Sequence, residues 1–549
     1  MHNARTSSLS RLGALSLTAL ACNYGDLGTS ALTQTASSTT GGASDSSASA
    51  TTSAGSGAST AASETGTSGG SGDTGEPLDP NIITHYFGQI PLLPGEDNAA
   101  RCVSWTLDNQ APLYIQRVIL ANEGSFHHSN WLIVPEGEYA GPDGVWPCAD
   151  RGFEEIAASS KNTTSVLFAQ STQSYAEEQE LAPGAVIKIP AHYKIVATIH
   201  TLNLAPVAGD SGLWLSLELL HPSEVNAIVA PLSMKYEDLK IPPQARSRFT
   251  GNCDLSIPYG LIKFQPLALR LHYILPHYHY LGEYFDVQVI GGLLDGQSVF
   301  TSEGFHADHA GITFDPPIDL PGATGLRFSC GYDNYTDQEV GWGNGDGEMC
   351  VLLAMVESDA VMGATVSFGT LEVEEKDGIH FFEGACVGVA LPKNDNQGLP
   401  TEAEKAGPLY KPPVDPADQG LPPVPKCVDA DPAASPTIPA TLTSVRDSIF
   451  APSCSFASCH AKAAAGELDL TGADLHATLL KASHDDPDLH LIVPGDPDAS
   501  WLYQLLARCE PETPGGQLHP HMPLNAPFLL DTGKIAGLRA WIEAGAKDE

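Results

Sequence analysis

Between about residues 80 and 390 the chain is written in short apolar runs. Leu113 to Leu120, Trp131 to Val134, Val186 to Ile189, Leu213 to Leu220, Phe285 to Gly291 and Thr365 to Val373 are examples, and Gly, Pro, Asn and Asp turns separate them. Helical periodicity is scarce here. Short runs of this kind are the signature of all-β sandwiches. Roughly 310 residues fit two sandwiches better than one. With a break near 225–240, the expectation is a mainly β protein with tandem antiparallel, jelly-roll-like sandwiches at 80–235 and 236–390.

The flanks have a different texture. Arg5 and Arg11 precede a short apolar run, Leu12 to Ala21, that ends in small residues before Cys22. That is an export signal over 1–22, too short to span a bilayer. Ala19-Leu20-Ala21-Cys22 resembles a bacterial lipobox, which makes Cys22 the expected lipidation site; Ala19 stands where that motif usually has Leu, so plain cleavage is the other reading. Residues 23–79 are Ser, Thr, Gly and Ala with almost no large apolar side chains, and are expected to be a disordered tether. The expected place is therefore outside the cytoplasm, periplasmic or at the cell surface, held to a membrane through the N-terminal lipid alone.

Residues 391–435 are rich in Pro and acidic residues, including Pro412-Pro413 and Pro422-Pro423, and read as a semi-rigid linker. From 436 to 549 the pattern turns helical. Asp531-Thr532-Gly533 is a helix start, and Ile535, Leu538, Trp541 and Ile542 recur at helix spacing. A small all-α domain is expected there. The formal charge of −39 argues against nucleic acid, because phosphate binding needs a basic face.

Chemistry concentrates in histidines. In Leu275-Pro276-His277-Tyr278-His279-Tyr280-Leu281-Gly282 two imidazoles sit one residue apart on an expected strand, hence on one face. Two imidazoles so placed can hold one metal ion. Met349 in Glu348-Met349-Cys350 adds a soft thioether, and His127, His128 and His200 form an earlier group. On a regular strand His127 and His128 would point to opposite faces, so both reach one ion only at a bulge or strand end. His272, His306 and His309 are alternative ligands, or polar surface.

Phe126-His127-His128, Ile199-His200-Thr201-Leu202-Asn203, Pro276 to Gly282 and Glu348-Met349-Cys350 stand in an order and spacing that resembles the type II copper, ascorbate-dependent monooxygenases, the peptidylglycine α-hydroxylating and dopamine β-monooxygenase family. The resemblance covers roughly 82–390. It implies two copper ions, one held by His127, His128 and His200, the other by His277, His279 and Met349. It implies hydroxylation of a small-molecule substrate by dioxygen, R–H becoming R–OH with water released, at the expense of two electrons from a donor and two protons. It also implies disulfides Cys102–Cys148 and Cys330–Cys350. Cys253 and Cys386 bracket the second domain and are a further expected pair; Cys427 and Cys509 are left for each other by arithmetic.

Two departures bear on substrate. Leu275 stands where the peptide-amidating members carry an Arg that binds the substrate carboxylate, and Val351, Leu352 and Leu353 follow Cys350 where they carry a Tyr. A carboxylate would lack its charge-assisted clamp. An apolar or aromatic substrate suits these positions better.

Cys454-Ser455-Phe456-Ala457-Ser458-Cys459-His460 offers two thiols and a proximal imidazole for a c-type haem, with four residues between the cysteines instead of the usual two. A plain disulfide is the bland reading. Val493-Pro494-Gly495-Asp496-Pro497, His521-Met522-Pro523 and the closing helix resemble bacterial cytochrome c-like domains that use the longer spacing. That resemblance implies Met522 as distal ligand, with His519 or His521 as substitutes. Such a domain, docking through the linker, would feed electrons to copper. The competing classes are a non-catalytic copper-binding or electron-transfer lipoprotein and a zinc hydrolase built on the three histidines, for which Met349 is a poor ligand.

Overall fold

Strands form where the apolar runs stand, and their buried residues decide which face each sheet turns inward. The computed structural model describes residues 80–548 apart from 160, 162, 171–173, 204–207, 280, 304–310, 344–346, 394–396, 419, 423–426, 456–458, 462–467, 484–485 and 524–528. The expected leader with Cys22, the tether 23–79, His306 and His309 lie outside the described residues.

The first sandwich pairs two sheets. One runs in the order Ile82–Leu92, Gly209–Leu219, Leu113–Asn122, Ala185–Ile189, Ala227–Ile228; the other runs Gly144–Pro147, Asp97–Thr106, Tyr193–Leu202, Phe126–Pro135, Ser165–Gln170. Residues such as Ile115, Trp131, Ile195 and Leu215 fill the space between them. In the second sandwich one sheet runs Ile312–Asp319, Arg270–His277, Val351–Glu357, Ala230–Tyr236, Ala360–Val366, Val387–Pro392. Its mate runs Ser298–Glu303, Gly282–Gly291, Ala323–Asn334, Ala245–Asp254, Ile379–Ala385, Leu371–Lys376. Phe249 is at the heart of this core, stacked on Phe382 at 4.6 Å. The strand Ala230–Tyr236 already belongs to the second sandwich, so the change of module falls before residue 230 and not after 235.

The sheets are not purely antiparallel, contrary to expectation. Ala230–Tyr236 runs antiparallel to Val351–Glu357 but parallel to Ala360–Val366. The reason is topological: it is inserted between two consecutive strands that run in opposite directions, so it must be parallel to one of them. Ala245–Asp254 likewise lies antiparallel to Ala323–Asn334 and parallel to Ile379–Ala385.

The two sandwiches share apolar packing. In Arg270–His277 and Val351–Glu357, Ile274, Leu352, Ala354 and Val356 face the second core. Tyr273, Leu275, Val351, Leu353 and Met355 face the other way and join the first sandwich's cluster. Both faces of this sheet are therefore buried here, as in a sheet covered on two sides.

Residues 391–435 are not a free spacer. Leu409, Tyr410 and Val414 pack on the first core. Lys188 Nζ donates to the Gly398 carbonyl, Tyr114 Oη to Glu404, His221 Nε2 to the Gly407 carbonyl and the Gln110 amide to Tyr410 Oη. His85 pairs with Asp418 at 3.0 Å. The apolar residues scattered among the prolines give this strap surface to bury, and proline lowers the entropy lost in laying it down.

An all-α domain over 436–549 is not evident as such. The described helices are short, among them Leu442–Val445, Leu475–Leu479 and Trp501–Ala507. Thr532–Glu543 is the longest there, at 12 residues, capped by Asp531 accepting from the Lys534 amide. Helices this short are marginal alone. They are held by a cluster that includes Ile449, Phe450, Leu506, Leu538 and Trp541. No helix among the described residues is long and apolar enough to cross a membrane. Four disulfides join Cys102 to Cys148, Cys253 to Cys386, Cys330 to Cys350 and Cys427 to Cys509, which fits an oxidising, exported setting.

Glu155 is buried beside Thr198, Asn130 and Lys235 of the second sandwich. Burial pushes its carboxyl from 4.5 up to about 8, against the pull of Thr198, Lys235 and Asn130. The folded protein thus keeps a proton that the unfolded chain gives up, and stability falls as pH rises through the window from about 4.5 to about 8. Glu155→Gln is expected to flatten that fall, leaving the variant the more stable of the two at pH near 8. Urea midpoints at the two ends of the window read this directly, and an unaltered slope would refute it.

Candidate metal centre

The first histidine group is assembled by a bulge. Phe126–Pro135 pairs antiparallel with Tyr193–Leu202, with His128 opposite His200, and the register shifts between Phe126 and His128. The extra residue is His127. The regular alternation that would send His127 and His128 apart is broken at that point. Gly124 and Ser125, with φ of 103° and 65°, turn the chain into the strand just before. The three rings converge: centroids are 5.2 Å apart for His127 and His128, 5.0 Å for His127 and His200, and 4.7 Å for His128 and His200. His200 Nδ1 and His128 Nε2 are 2.9 Å apart, and His200 Nε2 meets Asp97 Oδ1 at 2.5 Å. Burial, and then the neighbouring imidazoles of His200 and His127, hold His128 well below the ordinary histidine range. Neutral imidazole is the form that binds a metal ion.

The second group sits at the end of Arg270–His277. His277 pairs in register with Val351. Continued past the strand ends, the same ladder puts His279 opposite Met349. Met349 is buried in the cluster that joins the two sandwiches, as are Leu275 and Val351, whereas Tyr278 and Cys350 lie in the second core. His277, His279 and Met349 thus occupy the face turned toward the first sandwich. The rings of His277 and His279 are 5.1 Å apart. His279 Nδ1 donates to the Gly347 carbonyl at 2.8 Å, which leaves the lone pair on Nε2. Burial, then His279, then His127 keep His277 well below the ordinary range, so the two groups lie close enough to sense each other.

One buried carboxyl ties this turn together. Glu348 accepts from the amides of Leu281, His279 and Met349 at 2.7, 2.8 and 3.3 Å. It fastens the chain after His277 to the segment that carries Met349. Burial pushes Glu348 up to about 8, against those three backbone amides.

His272, the alternative ligand within the described residues, is turned elsewhere: its Nε2 lies 3.5 Å from Glu357. Among the described residues no three His, Cys, Asp or Glu side chains stand together at coordinating distances. His128 and His200 are engaged with each other instead. The donor set itself fits copper: three imidazoles on one side, two imidazoles and a thioether on the other.

In the C-terminal segment Cys454 and Met522 each pack on the local helical cluster, while Cys459 packs against the second sandwich's core. The His460 amide donates to the Cys454 carbonyl at 3.2 Å. Neither cysteine takes part in the four disulfides, so the plain disulfide reading of this motif is not what the structure contains. Burial pushes the Cys454 thiol up to about 12. His521 is half-buried and lowered by burial; His519 meets Trp501 edge-on at 5.2 Å.

Reading the sequence alone misses Asp97 and Glu348. Glu348 stands inside a quoted motif but carries no mark of its role. Asp97 lies in an ordinary acidic turn, Gly95-Glu96-Asp97-Asn98.

No protein-family model matches the chain, and no curated protein does. Among solved structures, the major capsid protein of bacteriophage PM2 aligns over 50% of this chain and 98% of its own at 8% identity and a TM-score of 0.20. The top component of cowpea mosaic virus aligns over 49% and 91% at 7% identity and a TM-score of 0.23. Likeness at that level carries no inference about function.

Tyr278 leaves no room beside it. A Cβ on Gly282 would lie 1.8 Å from Tyr278 Cδ2, so the ring that anchors the histidine turn to the core must move if Gly282 is replaced. Gly282→Ala is expected to cost about 1–3 kcal/mol by overpacking. It should also weaken metal binding at His277 and His279 while leaving the three-histidine group intact. Chemical denaturation with metal titration checks both; a neutral substitution would show that the turn tolerates displacement.

Proposed function

We propose that the protein is an exported copper-dependent monooxygenase that hydroxylates a C–H bond of a small organic substrate with dioxygen. One observation carries the reading. Two histidine groups far apart in the chain, one of them with a methionine, are brought to a shared buried seam between two sandwiches. Fold alone does not argue function. The donor types, and their resemblance in order and spacing to the copper monooxygenases, do.

His127, His128 and His200 would hold one copper ion, and His277, His279 and Met349 the other. Bound there, copper would supply one-electron storage at the all-imidazole group and dioxygen chemistry at the softer, thioether-containing group. The protein's own part is positioning. The bulge aims His127 and His128 together. Glu348 holds the His279 turn to Met349, and the Gly347 carbonyl sets the tautomer of His279. Leu275, Val351 and Leu353 are buried in apolar packing, so no side chain at those positions clamps a substrate carboxylate. An apolar or aromatic substrate suits these positions better.

The electrons would come from an ascorbate-like reductant, from a c-type haem that Cys454, Cys459, His460 and Met522 would hold, or from both. The strap 391–435 changes how such a domain would serve. Because the strap is fastened along the first sandwich, a haem would stand at a set place instead of docking from a loose linker.

Metal analysis and an optical spectrum of the full chain test this. Two copper ions per chain and a covalently attached haem are expected. His279→Ala should reduce copper to one ion and cut hydroxylation on the order of 100-fold or more, since the metal supplies the difficult chemistry. Cys454→Ser with Cys459→Ser should abolish the haem spectrum and leave copper unchanged. Retention of zinc in place of copper, or of no metal, would sink the proposal.

A further inference from the structure

The three-histidine group has a carboxylate attached to it that the copper reading does not require. Asp97 opens the strand Asp97–Thr106 and pairs across the ladder with Leu202, two residues beyond His200. Its Oδ1 lies 2.5 Å from His200 Nε2. On the other edge of the same ring, Nδ1 lies 2.9 Å from His128 Nε2. A carboxylate only accepts, so Nε2 carries the proton and Nδ1 carries the lone pair. That lone pair points into the histidine cluster. With Nδ1 the acceptor, His128 Nε2 is the donor between the two rings.

Asp97 is held there by other residues. Glu96 Oε2 accepts from the Leu93 amide at 2.6 Å, and Glu96 Oε1 pairs with Arg101 at 2.6 Å and accepts from Asn98 at 3.0 Å. The Asn203 amide donates to the Glu96 carbonyl and the Asn203 side chain to the Leu93 carbonyl, both at 2.7 Å. Glu96 and Asn203 build the turn. Asp97 spends its one described side-chain contact on His200.

We infer that Asp97 is a positioning residue of the three-histidine centre: it fixes the tautomer of His200, makes Nδ1 a stronger donor and so favours the oxidised, divalent copper ion there. The inference rests on the copper reading above. A charged acceptor behind a ligating imidazole raises its basicity, and its removal weakens metal binding by roughly 10- to 100-fold. The monovalent ion, with less charge to stabilise, gains less from the carboxylate. Loss of Asp97 therefore moves the balance toward the reduced ion and raises the midpoint potential.

The test uses the full chain carrying His279→Ala, so that only the three-histidine centre is read, and copper(II) alone as the probe. In this background Asp97→Asn keeps an oxygen acceptor but loses the charge, Asp97→Ala loses both, and Asp97→Glu restores a carboxylate. Affinity comes from competition with a chelator, and the centre is followed by electron paramagnetic resonance and by potentiometric titration. Asp97→Asn is expected to weaken copper(II) by about 10- to 100-fold, shift the resonance and raise the potential, with Asp97→Ala larger and Asp97→Glu part-way back. If Asp97→Asn and Asp97→Ala bind copper(II) at His127, His128 and His200 with unchanged affinity and potential, the role of Asp97 is refuted while the copper centre stands. If the parent binds none there, shown by His127→Ala making no difference, the copper reading fails and this inference with it.

Discussion

The seam between the two sandwiches is the constraint from which the rest follows. The strands Arg270–His277 and Val351–Glu357 bury both faces, one in their own core and one against the first sandwich. A one-residue slip in a strand exchanges its faces. Here it would drive Tyr273 and Leu275 into the wrong core and carry His277 away from the seam. The register that positions His277 opposite Val351 is therefore enforced by apolar burial on two sides. The histidines need no separate device to hold their height along the strand; they inherit it from the packing below them.

Polar groups finish what packing begins. Glu348 is wholly buried, where burial favours the protonated carboxyl and three amides point at its oxygens. In return it closes the turn beyond the strand, where packing alone leaves the chain freer. Asp97 stands at the opposite extreme, half exposed at a strand start, touching the cluster from the rim. One carboxyl group shapes backbone and the other addresses a ring, so the two histidine groups are stiffened by different means.

The β character of 80–390 is legible because short apolar runs between turn residues leave few other options. The His277 and His279 pair is legible for a related reason: strand alternation is a local rule. The His127 and His128 pair is only half legible. Two adjacent histidines announce that a bulge is needed but not that Ser125 and Gly124 prepare it. What stayed hidden depends on contacts distant in the chain. Nothing local to Ala230–Tyr236 says that it inserts between Val351–Glu357 and Ala360–Val366, which makes the sheets mixed. Prolines in 391–435 suggest a spacer, while Leu409, Tyr410 and Val414, too sparse to form a pattern, make it a strap. Asp97 and His200 are 103 positions apart, and an acidic turn is common in any chain this negative. The closing helix is legible because its cap and its Ile535, Leu538, Trp541 and Ile542 spacing agree; the helices before it are too short to show a spacing, even where Thr441 caps Leu442–Val445.

None of the four disulfides joins one sandwich to the other, or a sandwich to the C-terminal segment. Cys102–Cys148 lies within the first sandwich, Cys253–Cys386 encloses Cys330–Cys350 within the second, and Cys427–Cys509 ties the end of the strap to the C-terminal segment. A nascent chain arriving N-terminus first could oxidise one block at a time, each thiol meeting its mate before cysteines of the next block emerge. Mispairing between blocks is then avoided by order of appearance, and the same partition would let whole modules be gained, lost or exchanged between genes without orphaning a sulfur atom.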